Sequence, residues 1–308
     1  PAMAQTAAPP HPDLSNDKTG HGLSTAYISE LNLERYPILD HHRLDGKPVV
    51  PFALMAEWFG HGALHNNPGL QLAGLENMRL LKGIVLEDRQ RPIRILAAPA
   101  KSNGNSITVN LELRDGITDG AEVIHSKATA MLTDRLPSPP PYEIPTDLLN
   151  ASYDRDVSQI YADILFHGQA LQGIRRVRSC GTSGMIADLG TAPTPGAWIQ
   201  KPPRNHWIAD PLAMDGAFQM ASLWCYEETG RVSLPSFSAS YRQYCRRFPS
   251  QPIQAVLAIR DVSRYKLVGD FTFLDQDGKV LATITGYEAV MEDRLIRAFK
   301  PERYATGR

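Results

Sequence analysis

The sequence lacks long apolar runs, an excess of charge of one sign, and a cysteine pattern. None of its segments reaches the roughly 18 consecutive apolar residues of a transmembrane helix. Its 32 Lys and Arg nearly balance 33 Asp and Glu, which argues against nonspecific nucleic-acid binding because that needs a strongly basic face. The three cysteines, Cys180, Cys225 and Cys245, lack metal-ligand spacing and are expected to be free thiols in a reducing compartment. These absences predict a cytoplasmic protein that binds neither membranes nor nucleic acid.

A strongly apolar helix is predicted near residue 211. Asp210 is a good N-cap and Pro211 suits the first turn. The run from Leu212 to Trp224 is otherwise apolar, and Asp215 is its only charge. Because such a helix should be buried, we expect the carboxyl of Asp215 to lose hydration, its pKa to rise, and the group to donate a proton. Gln219 lies at i+4, on the same face, where its amide can orient that carboxyl.

A second apolar helix is predicted from Pro51 towards Leu64. His42 precedes it in a loop containing Asp45, Gly46 and Pro48, an irregular segment that can hold an imidazole at a pocket mouth beside free helix N–H groups. A histidine and a buried carboxylic acid are the base and the acid that removal of water from a β-hydroxyacyl compound requires.

The two helices begin two similar halves. After the first, alternating patterns predict strands over 70–87, 92–98, 106–114 and 121–132; after the second, they predict strands over 234–248, 253–262, 265–274 and 279–291. Asp119-Gly120 and Asp277-Gly278 suit the final hairpin of each half. A proline-rich stretch, 136–145, predicts an extended linker. We therefore divide the chain into a linker or expression scar (1–22), a first half (23–136), a linker (137–150), a second half (151–295) and a tail (296–308).

Three segments resemble motifs of one family, the dehydratase domains of polyketide synthases and related fatty acid synthases. His42-xxx-Gly46-xxxx-Pro51 matches their His-x-x-x-Gly-x-x-x-x-Pro motif, and Asp215-xxx-Gln219 matches their Asp-x-x-x-Gln motif. The segment 165–173 resembles their Tyr-Gly-Pro-x-Phe-Gln region, with His167, Gln169 and Leu171 where tyrosine, proline and phenylalanine are usual. The resemblance spans about Ala26 to Glu292, and the first half is closest in style to the polyunsaturated fatty acid type.

This resemblance implies an α+β double hotdog, in which each half wraps an antiparallel sheet around its apolar helix and the active site lies between the halves. It implies a hydro-lyase that needs no cofactor and dehydrates a β-hydroxyacyl thioester held by phosphopantetheine on an acyl carrier protein. Neighbouring domains of a multidomain synthase are the other implied partners, and a homodimer is allowed.

The resemblance also suggests roles for single residues. His42 would remove the α proton, Asp215 would protonate the leaving hydroxyl, and Gln219 would orient it. A backbone N–H near Gly168, or near the start of the first helix after Pro51, would face the thioester oxygen. His167 and His41 stay open as alternative bases.

Alternative interpretations of the same patterns stay open. The same fold can serve an isomerase, a cyclase, a thioesterase or a noncatalytic structural domain. We predict no metal site, because His61 and His65 lack a third ligand and the loop holding Asp40 to Asp45 is too short to aim its side chains inward. Basic residues near 175–178 and 242–247 are either a solvated face or a rim that steers an acidic carrier protein to the tunnel entrance.

Overall fold

The computed structural model describes residues 22–86, 91–103, 106–115, 122–149 and 151–300. Its α-helices are α1 (Phe52–His65), α2 (Thr146–Leu149), α3 (Val157–Asp163), α4 (Pro211–Thr229) and α5 (Leu295–Phe299). Its strands are β1 (Ser24–Leu31), β2 (Arg43–Leu44), β3 (Lys47–Pro48), β4 (Gln71–Leu80), β5 (Arg91–Ala97), β6 (Lys101–Asn103), β7 (Ser106–Asp115), β8 (Ile124–Thr133), β9 (Ile174–Gly181), β10 (Gly184–Leu189), β11 (Ser233–Gln243), β12 (Ile253–Val262), β13 (Lys266–Leu274) and β14 (Val280–Met291).

One antiparallel sheet of twelve strands runs through this described part of the chain. Its order is β1-β5-β7-β8-β4-β11-β14-β13-β12-β10-β9, with β6 paired to β7. The first five strands belong to the first half and the rest to the second. Followed outward from the centre, β4-β8-β7-β5 of the first half corresponds to β11-β14-β13-β12 of the second. At that centre β4 pairs with β11, with Leu75 opposite Tyr241. The two halves therefore share a single backbone hydrogen-bond ladder.

The two apolar helices lie at the core, each against the strands of its own half and in contact with the other helix. All residues of α4 from Pro211 to Cys225 are buried. Asp210 caps this helix by accepting from the backbone N–H groups of Leu212 and Ala213, as its residue type predicts. Glu57, the one charge in α1, accepts from the backbone N–H groups of Ile208 and Ala209 just before α4. The predicted double hotdog is confirmed.

The predicted strands that follow the two helices are also confirmed, with ends that differ by up to seven residues. In the second half, Gly278 adopts φ 79° in the turn before β14, as Asp-Gly predicts; Asp119-Gly120 lies outside the described residues. The sequence patterns do not predict the outer strands β1, β9 and β10 one by one. These strands precede the apolar helices, whereas the repeated pattern covers only the strands that follow them.

The predicted linker and tail are more ordered than their composition suggests. The linker ends in α2, and Leu148 is buried beside Ile186 and Val256 on the outer face of the second half. The tail begins within α5, whose Phe299 is buried, while the Ala298 carbonyl accepts from the N–H of Asp45 in the first half. Apolar side chains that cover the sheet and the β2–β3 hairpin explain both differences. In the described residues, no helix is both long and apolar enough to cross a membrane.

A cut in the exposed part of the linker, at Ser138, is expected to preserve activity when both halves are co-expressed. The halves should reassociate through the β4–β11 ladder and the α1–α4 contact, whereas either half alone should be inactive and aggregate through its exposed apolar face. Size-exclusion chromatography and a dehydration assay of the co-purified halves test this. A soluble, active fragment ending near Leu136 would contradict it.

Candidate active site

The three motif segments meet at one buried point. Ligand-type atoms of His42, His167 and Asp215 all lie within 4.8 Å of one another, and all three side chains are buried. His42 comes from the first half, and His167 and Asp215 come from the second. The interface between the halves thus brings together groups that are about 170 residues apart in the chain.

A tight hairpin and the start of α1 fix His42. The β2–β3 turn uses Asp45 at φ 50° and Gly46 at φ 74°, conformations that favour glycine in the second position. Pro51 is the N-cap residue of α1. The Nδ1 atom of His42 lies 2.9 Å from the Val49 carbonyl. Since a carbonyl only accepts, Nδ1 carries the proton and Nε2 keeps its lone pair.

The environment of His42 keeps its ring neutral. Burial is the main cause that lowers its pKa, to about 4, and it outweighs the opposing charge of Asp215. The ring is only 7% exposed and lies 4.8 Å, centroid to centroid, from Phe166. His42 is therefore a packed side chain that lines the cavity described below.

Gln219 orients Asp215 through a fully used amide. Its Nε2 donates to Asp215 Oδ2 at 2.7 Å and to the Leu171 carbonyl at 2.8 Å. Its Oε1 accepts from the Tyr161 hydroxyl at 2.6 Å and from the Gly173 N–H at 3.1 Å. Because both ends of the amide are bonded, it cannot rotate without losing hydrogen bonds.

Two glycines let the third motif segment approach α4. A Cβ atom added to Gly173 would lie 2.7 Å from the Cα of Gly216, which no real side chain tolerates. This close contact places Leu171 and Gly173 within reach of Gln219, and His167 within reach of Asp215. The glycine at position 173 is thus explained by packing of backbone against backbone, and a Cβ atom on Gly216 would lie 3.3 Å from the Leu189 side chain.

The pKa of Asp215 departs from the sequence expectation. Burial does act to raise it, but the hydrogen bond and charge of His167, together with the hydrogen bond from Gln219, lower it below its usual value. The expectation of a carboxylic acid kept protonated by an apolar helix is therefore wrong. The expectation rested on the apolar neighbours of Asp215 within the helix and took no account of the hydrogen bond from His167.

His167 faces Asp215 directly. Its Nε2 lies 3.3 Å from Asp215 Oδ2, and its Nδ1 is buried without a hydrogen-bond partner. The ring stacks on Phe166 at 4.0 Å, and its centroid is 5.2 Å from that of His42. A proton between His167 and Asp215 can be shared by the two groups. The side chain that replaces the usual tyrosine is therefore a second titratable partner of the carboxylate.

An oxyanion donor is expected at one of two places, and at the first of them the backbone N–H of Gly168 already has a hydrogen-bond partner. The Gly168 N–H donates to the His41 carbonyl at 2.9 Å, so it cannot also face a substrate. This bond instead holds the third motif segment against the hairpin that carries His42. The start of α1 remains as the candidate, since Phe52 lines the cavity described next.

His42, His167 and Asp215 open into a mainly apolar cavity of about 360 Å³. Phe166 and Phe299 form part of its wall, and their ring centroids lie 4.6 Å apart. Neither phenylalanine was assigned a role from the sequence. Phe166 could have been noticed beside His167 in the third motif, whereas Phe299 carries no motif and reaches the cavity only because α5 folds back.

The basic residues do not form the predicted rim of this cavity. Arg175 and Arg247 line a separate cleft of about 730 Å³ that contains neither His42 nor Asp215. Arg178 pairs with Asp188, and Arg242 pairs with Glu76. These arginines are close together in the sequence, but in the folded protein they have different partners and lie on different surfaces.

Solved structures that share this fold include dehydratase domains of polyketide synthases. The dehydratase domain of the CurF module of curacin polyketide synthase matches with a TM-score of 0.70 at 16% identity, over 89% of this chain and 96% of that one. A trans-AT polyketide synthase dehydratase domain from Brevibacillus brevis also matches with a TM-score of 0.70, at 17% identity, over 90% and 96% of the two chains.

Sequence comparison then shows the family. The model of the polyketide synthase dehydratase N-terminal domain matches residues 137–297, more than half of the chain. The chain therefore belongs to the polyketide synthase dehydratase family. It is also 25% identical over 198 residues to a polyunsaturated fatty acid synthase polypeptide of Thraustochytrium sp. (strain ATCC 26185 / S-3), covering 64% of this chain and 7% of that protein. The chain thus spans a small part of the length of that relative.

Proposed function

We propose that this domain removes water from a β-hydroxyacyl thioester to give the α,β-unsaturated thioester, within polyketide or polyunsaturated fatty acid biosynthesis. One observation carries the proposal: the imidazole of His42 and the carboxyl of Asp215, from different halves, face each other within 4.8 Å beside an apolar cavity. An elimination needs a base and a proton donor positioned at one Cα–Cβ bond, and this geometry supplies both.

His42 is the proposed base. The backbone bond to its Nδ1 leaves the lone pair of Nε2 free, and the lowered pKa keeps the ring neutral at neutral pH. Nε2 would remove the α proton while the start of α1 stabilises charge on the thioester oxygen. The reaction needs no electron acceptor, because the C–H and C–O bonds break without net redox change.

Asp215 is the proposed acid, acting together with His167. Since the pKa of Asp215 is lowered, its carboxyl alone would hold little of the proton that the leaving hydroxyl needs. The Nε2 of His167 at 3.3 Å can share that proton with Oδ2. The pair would deliver it to the β-hydroxyl, which departs as water, and Gln219 would hold the carboxyl in position throughout.

The relatives support a proposal about the carrier and the neighbouring domains. Both structural relatives are dehydratase domains of polyketide synthases, and the sequence relative is a synthase polypeptide of which this chain covers 7%. We therefore propose that the substrate arrives on the phosphopantetheine of an acyl carrier protein, with other synthase domains as neighbours. Two further structural relatives are inactive mutants of the CurK dehydratase, one with His replaced by Phe and one with Asp replaced by Asn. These are the residue types of the proposed pair.

Incubation with a synthetic β-hydroxyacyl thioester tests the proposal. Mass spectrometry of the thioester should show loss of one water, and the product should absorb as a conjugated enoyl thioester. Release of free thiol would instead indicate a thioesterase, and a product of unchanged mass with a moved double bond, from an enoyl substrate, would indicate an isomerase. No reaction across a panel of chain lengths would favour a structural domain.

The pH profile is expected to report the neutral ring of His42. The base works only when neutral, and its pKa is lowered to about 4, so kcat/KM should persist through pH 5 to 6 and fall as the pH drops through about 4. An unperturbed histidine would give a half-maximal point near about 6.5. Circular dichroism at each pH separates this loss from acid unfolding. A half-maximal point near 6.5 in folded protein would contradict the assignment.

A further inference from the structure

His42, His167 and Asp215 have a property that acid–base chemistry does not require. They form the one group of three metal-ligating side chains found in the described part of the chain. Two imidazoles and one carboxylate are a donor set that suits Zn²⁺ and related divalent transition metals. The set exists because a histidine stands at position 167, where a tyrosine is usual.

The separation of the donor atoms fits a tetrahedral ion. Zinc bonds of about 2.0–2.1 Å at tetrahedral angles place ligand atoms about 3.3–3.4 Å apart. Nε2 of His167 and Oδ2 of Asp215 are 3.3 Å apart, which is that spacing. The third donor, on His42, lies within 4.8 Å of both, so the ion must draw it closer for the three donors to occupy three corners of the tetrahedron.

The groups behind the donors are those that commonly support metal ligands. The Val49 carbonyl fixes the tautomer of His42 so that Nε2 is free to bind. Gln219 Nε2 donates to Oδ2 of Asp215, the oxygen that faces His167, and so orients the carboxylate at the donor atom itself. The fourth position would face the cavity of about 360 Å³, where a water molecule can bind.

We propose that this triad is a divalent transition-metal site, selective for Zn²⁺ over Mg²⁺, and that the bound ion inhibits the domain. Binding uses the lone pair of the base and the carboxylate of the acid, so an occupied site can neither accept the α proton nor protonate the hydroxyl. The inhibitory part rests on the proposed dehydration; the binding part does not. Metal and β-hydroxyacyl thioester should therefore compete for the free enzyme.

Calorimetry of the metal-free domain with ZnCl2, without substrate, tests the binding part. We expect one site per chain, and no heat with MgCl2. His167→Phe keeps the ring stacked on Phe166 and removes one donor, so it should weaken Zn²⁺ binding by more than about 100-fold, beyond the 10–100-fold typical for loss of an outer partner. The double variant His61→Ala/His65→Ala, which removes the i, i+4 histidine pair, should bind as the unmodified chain does.

Two further measurements keep the result interpretable. Co²⁺ in place of Zn²⁺ should give the visible absorption bands of a tetrahedral site, and Asp215→Asn should abolish them even if His167→Phe fails to fold. Equal Zn²⁺ affinity in the unmodified chain, His167→Phe and Asp215→Asn would overturn the proposal. Dehydration that is lost on adding a chelator would overturn the inhibitory role, because the metal would then assist the reaction. Dehydration that resists Zn²⁺ at saturating occupancy would overturn it as well.

Discussion

Replacing His42 by alanine should reduce dehydration by about two to four orders of magnitude, the range for loss of a general base. No other described side chain is held with the same free nitrogen over the cavity: His167 is engaged with Asp215 at 3.3 Å, and His41 is not among the residues that line the cavity. Initial rates with a synthetic β-hydroxyacyl thioester measure the effect.

The controls for His42→Ala follow from its packing. Because the ring is buried against Phe166, the alanine variant leaves a small cavity, and His42→Phe, which fills it, should be equally inactive but more stable. His41→Ala changes the adjacent histidine and should retain most activity. Thermal unfolding of all three variants shows whether the fold survives. Turnover by a folded His42→Ala protein would transfer the role of base to His41 or His167.

Asp215→Asn should lower activity by about two to four orders of magnitude at neutral pH, as expected when a general acid loses its transferable proton. Asparagine keeps the size of the side chain, and its carbonyl can still accept from Gln219 Nε2, which lies 2.7 Å from Oδ2 in the unmodified chain. The loss should therefore appear in kcat more than in KM.

A matched pair of variants separates protonation from orientation at Asp215. Gln219→Glu keeps the length of the side chain but introduces a second carboxyl beside Asp215, which should raise the pKa of both and move the pH profile. Asp215→Asn should instead reduce the rate at all pH values. Normal activity of Asp215→Asn at neutral pH would exclude Asp215 as the acid and make the His167 side chain alone the proton source.

Local sequence was sufficient where the physical cause is itself local. The apolar run after Asp210 and Pro211 predicts a buried, capped helix, and α4 is one. Asp215 and Gln219 share a face because i and i+4 do so in any helix, and their hydrogen bond follows. Two apolar helices with repeated strand patterns likewise predict two similar halves. The motifs indicate the family to which the chain belongs.

Long-range contacts decided the chemistry of the site. The apolar neighbours of Asp215 along the chain predict a raised pKa, but the fold places His167 beside it, and the hydrogen bond and charge of His167 lower the pKa instead. Likewise His42 lies in an irregular segment, which suggests exposure, yet it is buried and packs against Phe166 and His167.

The sequence by itself determined the elements, their apolar faces and the three motifs, because helix periodicity, capping and turn preference act over a few residues. Only the tertiary structure decided that His42 and Asp215 lie within 4.8 Å of each other and of His167, that the Gly168 N–H binds His41, and that Arg175 and Arg247 line a different cleft. The reason is that the β4–β11 ladder and the packing of α1 on α4 set these distances. Electrostatic interactions depend on distances in space, which spacing along the chain does not fix.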